Sequence, residues 1–251
     1  MRKKSITLNF LLPVLSITGV VIFWIITATA VGKEYLLPSV ATTINNLVQL
    51  FAQAKFYYAL LGTVYRTLIA FLISYCLALV FAVLSVKNQT FARLFMPIAG
   101  ILRALPTIAV ILILLVWTSS KVAPVIVTVL VIFPTTYSHL KSAFESVDKS
   151  VSEAGRVDGA DELRVFKYIE LPLVAPTISI EAGSAFSLNF KLMVAAEVLS
   201  ATSRSLGNLM NLANATSETA QLLALVIVSV VISLIIESVF NAIANKICDW
   251  K

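Results

Sequence analysis

The amino-acid sequence predicts an all-α membrane protein: a polytopic helix bundle of six transmembrane helices, with five as the alternative count. Three observations favour this class. Hydrophobic residues make up 59% of the 251 residues and charged residues only 13%, whereas a soluble domain carries about 25% charged and about 45–50% apolar residues. The mean hydropathy is +0.94. Six stretches approach the roughly 20 apolar residues that a helix needs to cross the hydrocarbon core of a bilayer.

The predicted spans are, in order, Leu8–Thr29, Ala59–Val86, Leu94–Thr118, Val122–Leu140, Leu173–Leu199 and Leu222–Ile243. The first could be a signal peptide, but its apolar run exceeds the roughly 7–15 residues of a signal sequence, which favours an uncleaved helix. The third contains Arg103 and Pro106 and can therefore be two pieces. Before the second span, Pro38 and Ser39 precede a helical pattern to Phe51, which predicts a short amphipathic helix near the outer surface.

The basic residues between the predicted spans indicate the orientation of the chain. If the N-terminus is cytoplasmic, twelve Lys and Arg residues lie inside: Arg2, Lys3, Lys4, Lys87, Arg93, Lys141, Lys149, Arg156, Arg164, Lys167, Lys246 and Lys251. Four would lie outside: Lys33, Lys55, Lys121 and Arg204. This asymmetry agrees with the positive-inside rule, so both termini are expected in the cytoplasm. We expect one transmembrane domain over residues 1–251, with a cytoplasmic loop at residues 142–172.

That loop, Ser142–Pro172, is too polar to lie in lipid and has the pattern of two short helices. Ser152 is a candidate N-cap of the first helix, and Gly159 suits the left-handed residue that ends it. Asp161 is a candidate N-cap of the second helix, and Pro172 opens the fifth span. The apolar contacts of the second helix are expected from Leu163, Phe166 and Tyr168. The sequence therefore predicts a compact helix–turn–helix, with an ordinary structured loop as the alternative.

The loop also carries a known signature. Glu153-Ala154-Gly155, then Gly159, then Ile169-Glu170-Leu171-Pro172 resembles the EAA signature of binding-protein-dependent ABC importer permeases, which reads E-A-A, three residues, G, nine residues, I-x-L-P. Every spacing fits, and the one departure is Gly155 in place of the second alanine. Three further stretches resemble the nitrate/sulfonate/taurine branch of that family: Arg66-Thr67-Leu68, Leu102-Arg103-Ala104-Leu105-Pro106 and Val194-Ala195-Ala196-Glu197-Val198-Leu199. The resemblance covers roughly Tyr57 to Phe240.

This resemblance implies a type I ABC importer permease fold in the bacterial cytoplasmic membrane. Val151–Gly159 would then be the coupling helix, which sits in a groove of a separate ATP-binding cassette ATPase subunit. The implied coupling residues are Glu153, Ala154, Gly155, Gly159, Ile169, Leu171 and Pro172. The implied partners are the ATPase, an extracytoplasmic substrate-binding protein and a second permease subunit, most simply an identical one. The implied substrate is a small anion such as a sulfonate or nitrate, or a vitamin-precursor-like solute.

The residues themselves do not point to an enzyme. The chain has no phosphate-binding loop of the G-x-x-x-x-G-K-[ST] kind, so ATP hydrolysis is expected on the partner subunit. His139 is expected at a cytoplasmic interface rather than in a catalytic site. Cys76 and Cys248 have no metal-ligand spacing. We therefore expect no catalytic residues, cofactor, metal or nucleic acid, and the lipid bilayer accounts for the composition.

Charged residues inside the predicted spans are candidates for a translocation path, because such groups usually face the interior of a bundle. They are Arg66, Arg103, Glu181, Lys191, Glu197 and Glu237. Glu197 and Glu237 lie near span ends and are expected to reach water. Arg66 could also reach water, or it could form a contact between two helices. Arg103 can mark a cytoplasmic gate or a helix break.

The fifth span carries the best candidate face. Ser184 and Lys191 share one side of a helix, and Ser187 lies one turn before Lys191. We interpret this face as lining the path or facing a second copy. Helix packing, with Lys191 snorkelling to the membrane surface, is the alternative.

Two other functions remain open on the residues alone. An ion-gradient-driven secondary transporter would favour paired broken helices around a midplane ion site, and the sequence shows no such pair of segments. A non-transporting membrane scaffold is the second. The EAA-like loop argues against both.

Overall fold

The computed structural model describes the backbone of residues 2–248 and the side chains of residues 11–148 and 150–246. Within these residues all regular structure is helical. The elements are α1 (Arg2–Val31), α2 (Val40–Phe51), α3 (Ala54–Lys87), α4 (Gln89–Ala104), α5 (Thr107–Trp117), α6 (Ala123–Glu145), α7 (Lys149–Val157), α8 (Glu162–Val165), a π-helical turn (Phe166–Glu170), α9 (Leu171–Ser200), α10 (Leu206–Ala215) and α11 (Thr219–Cys248). The predicted all-α class is confirmed.

The third predicted span is divided at Pro106. α4 and α5 meet at a bend of 90°. Leu105, between them, has an extended backbone with ψ 126°, because Pro106 disfavours the helical conformation of the residue before it. In the described part, five helical segments are long and apolar enough to cross a membrane, and the bent pair makes a sixth if it is one span. The observed count of five to six agrees with both expected counts.

The described residues form two compact units. The first comprises the chain up to Tyr57 together with Leu209–Val228, and the second comprises Tyr58–Asn208 together with the residues from Ser229 onward. All candidate coupling and path residues belong to the second unit.

Within the first unit, the predicted amphipathic helix is confirmed as α2. The side chain of Ser39 caps it by accepting a hydrogen bond of 3.1 Å from the backbone N–H of Thr42. The indole N–H of Trp24 in α1 donates a hydrogen bond of 3.1 Å to the carbonyl of Pro38. One of these hydrogen bonds holds the segment between the two helices to α1, and the other holds it to the start of α2.

Within the second unit, α6 packs along α9, and an aromatic cluster joins α3, α4 and α6. Its ring centroids lie 4.7–5.9 Å apart, and its members are Phe81, Phe91, Phe95, Phe133 and Tyr137.

α9 also contacts α3 and α11. The hydroxyl of Tyr75 in α3 donates a hydrogen bond of 2.7 Å to the carbonyl of Ile178 in α9. On α9, Gly183 lets α11 approach, since a Cβ there would lie 2.6 Å from Cβ of Phe240. α9 is thus the central helix of this unit.

Candidate functional site

The polar loop after α6 folds into α7, a turn and α8. The N-cap of α7 is Asp148, whose carboxylate accepts a hydrogen bond of 2.9 Å from the backbone N–H of Ser150. That hydrogen bond lowers the pKa of Asp148. Ser152 lies inside the helix, buried, and donates a hydrogen bond of 2.9 Å to the carboxylate of Glu170. The expectation that Ser152 caps this helix is therefore wrong, because Asp148 offers an equally good cap one turn earlier.

Gly159 is the left-handed residue that follows the C-cap of α7, as predicted. Its φ of +85° lies in the left-handed region. The N–H of Ala160 donates to the carbonyl of Gly155 at 3.1 Å, and the N–H of Gly159 donates to the carbonyl of Arg156 at 3.0 Å. These two bonds form a Schellman motif, which pairs carbonyls that a helix end otherwise leaves free. Asp161 then caps α8 by accepting from the N–H of Arg164 at 2.8 Å, which confirms that prediction.

Gly155 is the point of closest contact between α7 and the following segment. A Cβ atom on Gly155 would lie 2.5 Å from Cδ1 of Ile169 and 3.4 Å from Cγ2 of Val165. The missing side chain therefore lets the two pieces of the loop pack together. Glu153 and Ala154 lie on the other side of α7 and are exposed.

The loop presents apolar side chains to its surroundings. We define the candidate coupling surface by its exposed members Val151, Glu153, Ala154, Val157, Leu163 and Tyr168. Val157 is 86% exposed, Leu163 70% and Tyr168 68%. The expected contacts of Leu163 and Tyr168 within the loop are therefore wrong, because both side chains point away from it. Of the three expected apolar contacts, only that of Phe166 forms, with its ring 5.9 Å from that of Phe144.

α8, the π-helical turn and α9 form one continuous segment, Glu162–Ser200. The N–H of Leu171 bonds to the carbonyl of Phe166, five residues back, which is the π-helical pattern. A proline inside a helix lacks a donor and clashes with the carbonyl four residues earlier. The wider turn lies just before Pro172 and accommodates this clash, so Pro172 does not separate the loop from α9.

One side of α9 is exposed along its whole length. We define the α9 face by Leu173, Thr177, Ile180, Ser184, Leu188, Lys191, Ala195 and Leu199, which are the exposed residues at every third or fourth position. Ser184 and Lys191 lie on it together, as predicted. Ser187 does not, because it is 2% exposed and is packed inside the chain. The expectation that Ser187 shares this face is wrong, since it lies at the edge of the stripe and turns inward.

A histidine–carboxylate pair borders the α9 face. Nδ1 of His139 in α6 lies 2.9 Å from Oε1 of Glu181 in α9. The side chain of His139 is 58% exposed and that of Glu181 19%. Arg103 is exposed in the last turn of α4, at the bend before α5.

Arg66 and Glu197 form an ion pair that sequence reasoning missed. Nε of Arg66 lies 2.7 Å from Oε1 of Glu197, whose side chain is 0% exposed. The expectation that Glu197 reaches water is wrong, because Glu197 lies on the side of α9 opposite the exposed face and meets α3 there. Asn189 adds a second link, donating to the carbonyl of Thr67 at 3.3 Å. Opposite charges inside two apolar spans were the only sequence signal for this pairing.

In the part of the chain that the structure describes, no group of three or more His, Cys, Asp and Glu side chains could hold a metal ion. The described residues offer three features: exposed apolar side chains on the loop, an exposed helix face with one ammonium group, and a buried ion pair.

Comparison with known families and curated proteins gives one matching family and matches to curated permease proteins. Residues 74–248 match the family described as "Binding-protein-dependent transport system inner membrane component". A maltodextrin transport system permease protein of Bacillus subtilis is 43% identical over 51 residues, which are 20% of this chain and 18% of that protein. The match with this curated relative thus spans less than a fifth of its length.

Solved structures resemble the chain over most of its length. An inward-facing methionine ABC transporter matches with a TM-score of 0.63 and 17% identity, covering 78% of this chain and 99% of that one. An amino acid ABC transporter with histidines has a TM-score of 0.66 and 16% identity, covering 80% and 97%. A bacterial alginate ABC transporter, in complex with a periplasmic protein carrying an alginate pentasaccharide, has a TM-score of 0.67 and 13% identity, covering 97% of both chains. At these identities the likeness shows a shared fold.

Proposed function

Because this chain belongs to the family of binding-protein-dependent transport system inner membrane components, we propose that it is the membrane-spanning permease subunit of an ATP-driven ABC importer. One observation carries the proposal. The loop between α6 and α9 forms a short, closely packed helix unit that exposes Val157, Leu163 and Tyr168 among charged residues and continues directly into the central membrane helix. A subunit that receives mechanical work from an ATPase needs such a surface.

The candidate coupling surface is the proposed docking site of the ATPase subunit. Val157 and Leu163 are largely exposed on it, and burial of such a side chain contributes about 1.5–3 kcal/mol. Glu153 and Ala154 would contact the partner directly. The other coupling residues shape the surface: Gly155 and Ile169 by close packing, Gly159 by its left-handed turn, and Leu171 and Pro172 at the start of α9.

Movement of the docked loop has a direct route into the membrane. α7 is fastened to the π-helical turn by the hydrogen bond of Ser152 to Glu170 and by the contact of Gly155 with Ile169. The turn continues into α9 without a break. A shift of α7 would therefore tilt α9, and we propose this as the step that couples ATP hydrolysis to transport.

The α9 face is the proposed translocation surface, shared with an identical second subunit. Ser184 and Lys191 would line the path, while buried Ser187 would pack within its own chain. Arg103, exposed beside the bend between α4 and α5, would lie at the cytoplasmic gate. We propose that residues 1–251 act as one permease domain in the bacterial cytoplasmic membrane, with both termini inside and residues 142–172 as the coupling loop.

A small anion is the proposed substrate class, as in the nitrate/sulfonate/taurine-type branch, whose members also carry vitamin-precursor-like solutes. Its support is the exposed ammonium of Lys191 on the α9 face, together with the sequence resemblance to that branch. The names of the matching proteins mention methionine, amino acids, alginate, maltodextrin and molybdenum. Those names span very different chemistry, so the charge on the path is the better guide.

Reconstitution tests the proposal. The chain would be purified with a candidate ATP-binding cassette ATPase subunit, placed in liposomes containing ATP, and supplied outside with a candidate substrate-binding protein and labelled taurine or nitrate. We expect uptake that requires ATP and the binding protein and persists when ionophores collapse ion gradients. Uptake that survives without ATP and stops with ionophores would instead favour a secondary transporter. Stable assembly with neither kind of uptake would favour a scaffold.

A further inference from the structure

A fully hydrogen-bonded carboxylate joins α3 to the C-terminal end of α9. Besides its ion pair with Arg66, Glu197 accepts a hydrogen bond of 2.7 Å from the hydroxyl of Thr63. The backbone N–H of Gly207 donates to the same oxygen, Oε2, at 3.4 Å. Burial of an ionised carboxylate is unfavourable unless its partners are in place. Here both oxygens have partners from separate parts of the chain.

The same residues fasten the turn Ala201–Ser205, which connects α9 to α10. Nη2 of Arg66 donates to the carbonyl of Arg204 at 3.0 Å. The N–H of Leu206 donates to the hydroxyl of Thr63 at 2.9 Å. The guanidinium of Arg66 and the hydroxyl of Thr63 therefore each bond both to Glu197 in α9 and to the residues that follow α9.

Two glycines allow this packing. A Cβ on Gly62 would collide with the carbonyl oxygen of Arg204, and one on Gly207 would collide with Cβ of Glu197. The turn itself is strained, because Ala201 and Arg204 have φ of 47° and 52°, in the left-handed region that side chains disfavour. Such residues persist where their surroundings over-determine the conformation, and they cluster at sites where geometry matters.

We propose that Thr63, Arg66, Glu197, Arg204 and Gly207 form a permanent joint, here named the α9 joint, which stays closed throughout the transport cycle. The proposal rests on the importer function argued above. The joint makes α3, the C-terminal half of α9 and the turn move as one body. Glu197 is thus a positioning residue: it touches no substrate, but it holds the part of α9 that carries Lys191.

The two ends of α9 then have opposite roles. At the N-terminal end the segment contains the π-helical turn, and motion of the coupling loop is transmitted to α9 there. At the C-terminal end the joint lets the helix turn only together with α3. Movement of the loop is thereby converted into rotation of a fixed pair of helices and not into bending of α9 alone.

Hydrogen–deuterium exchange tests whether the joint stays closed. The amides of Leu206 and Gly207 bond to side chains of the joint, so their exchange reports its opening. We expect slow exchange of the peptide 198–208 in the wild-type complex, unchanged within about twofold between the resting state, the ATP-bound state and the state with docked binding protein. Fast exchange in any one of these states would overturn the proposal.

Glu197→Gln tests the positioning role. The variant keeps the shape but leaves the guanidinium of Arg66 without its counter-charge. We expect uptake per ATP hydrolysed to fall about tenfold or more, with faster exchange of the peptide 198–208. Because that ratio is independent of the amount of folded complex, a loss of folded protein alone would not change it. The matched control is Glu218→Gln, which removes an exposed carboxylate just before α11 and should leave the ratio within about twofold.

The outcomes separate the two proposals. A wild-type complex without ATP-driven uptake would contradict the importer function itself. A wild-type complex that transports while the peptide 198–208 exchanges rapidly, or a Glu197→Gln variant with a normal ratio, would contradict the joint alone. If Glu197→Gln does not assemble, the exchange measurements on the wild type still decide.

Discussion

Gly155 of α7 lies directly against Ile169 of the π-helical turn, so that a Cβ on the glycine would come within 2.5 Å of the isoleucine Cδ1. These two residues belong to opposite ends of the EAA-like signature. Their contact requires a small residue at position 155, opposite the end of the isoleucine side chain. Because that end can move slightly, we expect the contact to accept an alanine as well as the glycine.

Enlarging Gly155 should separate the loop from α9. In Gly155→Val the added Cβ meets both Ile169 and Val165, and its two methyl groups add further volume. We expect ATP-driven uptake to fall about tenfold or more, since overpacking displaces neighbouring backbone. Gly155→Ala is the control, because it restores the signature residue and should keep uptake within about twofold. Uptake assays in liposomes measure both variants. Equal activity of the valine variant and the wild type would contradict the close-packing role.

The function of the turn at Gly159 should depend on the backbone strain that a substitution adds there and not on the size of the new side chain. No atom lies near a Cβ added there, yet φ is +85°. A valine would therefore fit the space but occupy a disfavoured conformation, at a cost of about 1–3 kcal/mol. We expect Gly159→Val to uncouple transport from ATP hydrolysis while the membrane helices remain folded.

Asparagine provides the matched control for that position, because it tolerates the left-handed conformation better than a branched residue. Gly159→Asn should keep most of the coupling, measured as uptake per ATP hydrolysed. If Gly159→Val assembles with the ATPase and transports normally, the proposed role of this turn is wrong.

Lys191 should matter through its charge. Lys191→Met keeps length and apolar volume, and we expect anion uptake to fall while assembly and ATPase docking persist. Lys191→Arg should retain part of the activity, because the positive charge remains. The control is Leu188→Met, a neutral exchange on the same face. Equal uptake by Lys191→Met and the wild type would remove the main support for an anionic substrate.

The orientation of the chain can be tested with reporter fusions. The asymmetry of basic residues predicts that a fusion after Lys33 lies outside and one after Lys149 lies inside. Alkaline phosphatase, active only outside, and green fluorescent protein, fluorescent only inside, should therefore give opposite results at the two sites. The same side for both would contradict the six-span arrangement.

The sequence predicted most of the features that depend only on residues close together in the chain. Apolar length identified the long helices, and Pro106 marked the break between α4 and α5. The left-handed glycine and the Asp161 cap of the coupling loop also followed from residue type, because turn and cap geometry depend on neighbouring residues only.

Features that depend on distant residues were missed. Glu197 meets Arg66 across the bundle, and no local rule states which charge will find which partner. Ser152 resembled a cap, but its partner Glu170 lies beyond a turn whose path the sequence did not reveal. The inward position of Ser187 likewise depends on how α9 is rotated against α3 and α6, and a helical pattern fixes spacing but not rotation.

The continuous segment Glu162–Ser200 makes the number of residues between the coupling loop and the α9 face critical. In an α-helix each residue contributes about 100° of rotation and about 1.5 Å of rise. Deleting one residue from the regular helix that follows the π-helical turn would therefore swing the whole loop by about 100° relative to the α9 face. The candidate coupling surface would then face another direction with every side chain of it intact. A deletion within the turn itself would re-aim the surface much less, because the wider turn holds about one residue more than an α-helical turn.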